Sequence, residues 1–135
     1  AWVWKSFLRG HNPIFMDPYD GSVLGRDRGW QPLRAAMGHT RRFAERMNLA
    51  AAAPRGELAS TGYCLADPGR EYLVYQPTGG GAFTVEIQTG KYRYEWFNPA
   101  RGETVENGLL EASGGSRPFQ PPFDGDAVLY LRVSE

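Results

Sequence analysis

The chain has little covalent or long-range electrostatic reinforcement. A single cysteine, Cys64, excludes an internal disulfide and is too few for a structural zinc site, so we read it as a small core residue. Lys and Arg number 15 and so do Asp and Glu, leaving a formal net charge of zero. No broad positive field is therefore available to hold nucleic acid or an anionic membrane. No apolar run approaches the roughly 18 to 20 residues that span a bilayer. The opening AWVWKSFLRG mixes aromatic and charged residues, without an initiating Met or a signal-peptide cleavage pattern. Any targeting segment is expected upstream, and these residues leave the compartment unknown. What is present suffices for a fold: 135 residues, 41% of them hydrophobic, can bury a real core.

The pattern of apolar residues changes near Pro54. Upstream, Trp4, Phe7 and Leu8 fall at i, i+3 and i+4, which predicts the last turns of a helix stopped by Arg9 and Gly10. Ile14, Phe15 and Met16 form a short all-apolar run that suits a strand covered on both faces. A polar loop from Asp17 to Gly21 follows. From Leu33, apolar residues recur by threes and fours through Ala36, Met37, Thr40, Phe43, Ala44 and Met47, with Arg34, Arg41, Arg42, Glu45 and Arg46 largely between them. This predicts an amphipathic helix over residues 32–53, with Pro32 in its first turn, Asn48 as an exit signal, and its basic face in water.

Downstream, residues 72–76, 82–88, 92–98 and 126–132 read as short strands between Gly- and Pro-rich turns. Phe83, Val85 and Ile87 alternate with Thr84, Glu86 and Gln88, as in a sheet with one buried face. The turn from Pro77 to Gly81 predicts a hairpin joining the first two of these strands. In the third, Tyr92, Tyr94 and Trp96 share one face while Arg93, Glu95 and Phe97 share the other. Asn98 and Pro99 open a turn that Gly102 closes. The spacing favours an antiparallel β-sandwich of about 80 residues.

Few residues carry an obvious chemistry. His11 and His39 lack a ligand-spaced partner, Ser60 and Ser113 lack a nucleophile-elbow context, and Gly79 to Gly81 precede a strand instead of a helix. No catalytic residue, metal site or cofactor is expected. Tyr92, Tyr94 and Trp96 are candidates for an aromatic ligand platform, because flat rings with polar edges suit sugars or a proline-rich chain. The competing expectation is that they form sheet core.

The stretches WKSFLRGHNPIFMDPYDG, RAAMGHTRRFAERMNL, ELASTGYCLADPGREYLVYQP, YEWFNPARGET and FQPPFDGDAVLYLR resemble the C-terminal end of apiosidase-like glycoside hydrolases. The segment from Tyr63 through WFNP-x-x-G-E to GDAVLYL is the most specific part. The resemblance implies a (β/α)8 barrel followed by a small β-sandwich classified as the "putative collagen-binding domain of a collagenase". Residues 1–56 would then be a helix-strand-helix remnant of the barrel, and 57–135 the sandwich, giving a mainly β chain. Asp17, Tyr19 and Asp20 would lie where a barrel loop lines a substrate cleft, while the catalytic carboxylates would belong to earlier strands. A secreted or periplasmic, non-catalytic ancillary role is implied, with an independent polysaccharide- or collagen-binding module as the alternative and an active glycosidase fragment ranked last. Expected partners are polysaccharide or collagen, the missing barrel, and a second copy of the chain.

Overall fold

The computed structural model describes residues 1–14, 31–77, 79 and 81–134. Helix α1 (Trp2–Leu8) buries Val3, Trp4, Phe7 and Leu8, and stops at Arg9. Gly10, at φ 81°, then takes the left-handed turn that a Cβ would disfavour. Helix α2 (Gln31–Arg46) buries Thr40 and Phe43, and Met47 follows them inward. It ends before the predicted limit at residue 53, next to the last periodic apolar residue, Met47, and the exit signal Asn48. The Asn48 N–H donates to the Glu71 carboxylate at 3.0 Å, and the N–H groups of Ala51 and Ala52 turn back to the Asn48 carbonyl. That diversion releases Ala53–Pro54 to form strand β1. Of the strand expected at 14–16, the structure describes Ile14, which lies outside any strand and is 76% exposed. Phe15 and Met16, together with Asp17, Tyr19 and Asp20, fall outside the described residues.

Seven further strands follow: β2 (Cys64–Asp67), β3 (Glu71–Gln76), β4 (Phe83–Ile87), β5 (Gly90–Asn98), β6 (Glu103–Ala112), β7 (Gly115–Phe119) and β8 (Ala127–Val133). Six strands make one sheet in the order β1-β2-β3-β8-β5-β6, and β4 and β7 make a second. All pairs are antiparallel. The predicted hairpin between 72–76 and 82–88 does not form. β3 pairs with β2 and β8, whereas β4 pairs with β7, so the chain crosses from one sheet to the other. The burial patterns explain this: β3 is buried at every position and needs cover on both faces, while β4 buries only alternate residues.

The large sheet therefore separates two cores. Its inner face carries Tyr72, Val74, Tyr92, Trp96, Leu129 and Leu131, which pack on Phe83, Val85, Ile87 and Phe119 of the small sheet. Its outer face carries Leu65, Leu73, Tyr75, Phe97, Val128 and Tyr130, covered by Trp4, Phe7, Leu8, Phe43 and Met47. Phe43 is the hub, with ring centroids 5.8 Å from Trp4, 5.3 Å from Phe97 and 5.7 Å from Tyr130. Each fully buried large apolar side chain of this kind contributes about 1.5–3 kcal/mol. The Trp4 Nε1 group is buried without an acceptor among the described residues, a cost of about 1–3 kcal/mol that the packing must offset.

Candidate functional site

Two features on the helix side of the large sheet are built from specific residues. One is the turn between β5 and β6. Asn98 is buried, and its side-chain oxygen accepts the Ala100 N–H at 3.0 Å, while its carbonyl accepts the Gly102 N–H at 2.8 Å. Gly102 sits at φ 69°, and a Cβ there would lie 2.7 Å from Cε1 of His39. The backbone conformation thus favours glycine, and a Cβ would also make the His39 ring of α2 shift. The His39 ring meets Phe97 edge-on at 5.2 Å. Burial, and secondarily the charge of Arg42, lowers the His39 pKa, so the imidazole is neutral at physiological pH. Trp96 enters the inner core and Phe97 the outer one. The Trp-Phe-Asn-Pro turn accordingly fastens the sandwich to the helix.

The second feature is a cleft of about 610 Å³ where α2 stops short of covering the sheet. Its floor is β5, β6 and β8, and its walls include Arg46, Arg93, Glu95, Thr104, Asn107, Leu109 and Arg132. Arg46 donates to both oxygens of Glu95, at 2.6 and 3.2 Å, and stacks over the rings of Phe43 and Tyr130. Thr104 Oγ1 donates to the same carboxylate. Burial alone would raise the Glu95 pKa, but the hydrogen bonds from Arg46 and Thr104 and the guanidinium charge together hold it below the usual value. Deeper under the helix, Glu71 accepts the Tyr130 hydroxyl at 2.5 Å and the Asn48 N–H. At the far end of the sheet, Asp126 accepts the Tyr75 hydroxyl at 2.8 Å. Burial first, and then these carboxylates, push the Tyr130 and Tyr75 phenols upward. These acidic groups are engaged in holding the fold.

The residues expected to form an aromatic platform are distributed differently. Tyr92 is fully buried and Trp96 is 4% exposed, both within the inner core. Tyr94 is half-buried and covers Gly108, where a Cβ would come within 2.9 Å of its ring. The three therefore do not present a common exposed surface, because the small sheet covers the face that alternation assigned to them. Sequence reasoning placed Arg93 and Glu95 on the opposite face correctly. It did not bring Arg46, Glu71 or Arg132 to the same region, since that depends on β8 entering the sheet between β3 and β5. Cys64 is buried, as expected, and burial pushes its thiol up to about 12.

Among the described residues, no helix is long and apolar enough to cross a membrane. Residues 55–132 match the family described as "Putative collagen-binding domain of a collagenase". Among solved structures, a chain titled "Glycoside hydrolase" is similar over 89% of this chain, with a TM-score of 0.59 and 19% identity. That overlap spans 31% of the other chain's length, and the likeness is one of fold. No curated protein matches.

Proposed function

Because the chain belongs to the family described as "Putative collagen-binding domain of a collagenase", we propose that it is a non-catalytic ancillary sandwich of a secreted, glycoside-hydrolase-like protein. Its helical segment is the tail of an apiosidase-like (β/α)8 barrel, and the sandwich braces that barrel from outside. The observation that carries this reading is the Phe97–His39–Gly102 contact. The most family-specific turn of the sandwich is shaped to receive a helix that precedes the matched residues. A free-standing binding module would have no use for such a socket.

Two further observations agree. The structural likeness to a glycoside hydrolase extends over 89% of the chain, more than residues 55–132 can account for, so it takes in part of the helical layer. The half-buried and buried carboxylates Glu71, Glu95 and Asp126 each serve a structural hydrogen bond, whereas glycoside hydrolysis needs two carboxyl groups free to exchange protons or attack carbon across a bond. The test is paired. Incubated with a panel of aryl glycosides, the chain should release no product above the blank, and in urea its helix and sheet signals should be lost in one transition. Turnover would refute the non-catalytic role. Two separate transitions would refute the brace.

A further inference from the structure

We infer that the open cleft on the outer sheet face binds the carboxylate of a uronic-acid polysaccharide through Arg93 and Arg132. The inference rests on the proposed link to a carbohydrate-active protein, and its own evidence is the charge arrangement in the cleft.

Arg93 on β5 and Arg132 on β8 are direct cross-strand partners on the same face. Like charges placed opposite each other destabilise a sheet. Both side chains are exposed, and neither has an acidic partner within ion-pair distance among the described residues. The acids that could neutralise them are committed elsewhere. Glu71, the cross-strand neighbour of Arg132 on its other side, is held by Tyr130 and Asn48, and Glu95 is held by Arg46 and Thr104. Two adjacent guanidinium forks thus point into one cleft with their donors unspent, an arrangement that fits a planar carboxylate.

The remaining walls favour a sugar as its carrier. Leu109, the cross-strand partner of Arg93 on β6, is 69% exposed and gives an apolar contact for the C–H face of a pyranose. Asn107 and Thr104 line the same cleft and can bond hydroxyl groups. A uronate holds its carboxylate rigidly on the ring, whereas an Asp or Glu of an acidic peptide must freeze side-chain torsions to bind. Glu95 in the same cleft, and a chain with no net charge, disfavour a dense polyphosphate such as nucleic acid.

Titration of the full chain with polygalacturonate at low ionic strength tests this. Binding should weaken with added salt and vanish with the fully methyl-esterified polymer. Arg93→Gln or Arg132→Gln should each weaken it about tenfold, the order of one charge-assisted hydrogen bond. Arg93→Lys should recover part of that loss, and unchanged circular dichroism will show that the variants fold. Equal binding of the esterified polymer, indifference to both Gln variants, or tighter binding of polyglutamate or triple-helical collagen would each overturn the inference. Absent polygalacturonate binding alongside a single unfolding transition and no glycoside turnover would remove this ligand and leave the ancillary role standing.

Discussion

The two faces of the large sheet are closed by different means. The inner face meets the small sheet through alternating strands, Phe83, Val85 and Ile87 against Tyr92 and Trp96, so local period alone specifies it. The outer face is closed by a helix pair whose partners come from distant parts of the chain, and it uses polar fasteners as well as rings: Glu71 to Asn48 and Tyr130, Arg46 to Glu95, and the Gly102 turn under His39. The lesson is that a pattern which repeats can build a core, while a junction between unlike layers needs individually placed groups. The outer closure is also incomplete, and the uncovered part is the arginine-lined cleft.

The largest effect that would break this comparison is expected at the hub. Phe43→Ala should cost about 3–5 kcal/mol in urea unfolding and should lower helix and sheet stability together. If only the helical signal weakened, the outer core would be an accessory. Tyr130→Phe removes the hydroxyl that serves the buried Glu71 carboxylate, and should cost about 1–3 kcal/mol by the same assay. Gly102→Ala places a side chain at φ 69° against His39, and about 1–2 kcal/mol is expected from the backbone alone. The paired variant Gly62→Ala, also at positive φ but in open space, isolates that backbone part, so the excess at Gly102 measures the helix contact.

The smallest effect is electrostatic. The Glu95 pKa in the fold lies below its unfolded value, so its contribution is fully present above the usual carboxylate pKa and is lost as pH falls through the depressed one. Stability should therefore decline below about pH 4.5, and Glu95→Gln should flatten that decline. The pair is partly exposed, 46% on the Arg46 side and 18% on the Glu95 side, so solvent screening keeps the change modest.

The same contrast explains what could be read from the residues. Strand β4 was legible because each alternate residue faces one layer, and α1 because its apolar spacing and Gly10 agree. The length of β6 was not: it is an edge strand with seven of its ten residues exposed, and only Leu109 and Leu110 hint at it. β7 was hidden by Pro118, which a strand with one open edge tolerates because no N–H is wanted there. The end of α2 was locally marked by the last periodic apolar residue, Met47, and by Asn48, but the Glu71 carboxylate that receives the Asn48 N–H lies more than 20 residues away and no local period could supply it. In the cleft, alternation put Arg93 and Glu95 on one face, but the insertion of β8 beside β5, which supplies Arg132, is a long-range choice.

Amide hydrogen exchange under native conditions tests most directly whether the helical layer and the sheet form one body. The account predicts that the Met47 amide, bonded to Phe43 at 3.0 Å, and those of Leu129 and Leu131 exchange with the same opening free energy. Exchange at Met47 orders of magnitude faster than at the β8 amides would mean that the helix opens independently, and would contradict the brace.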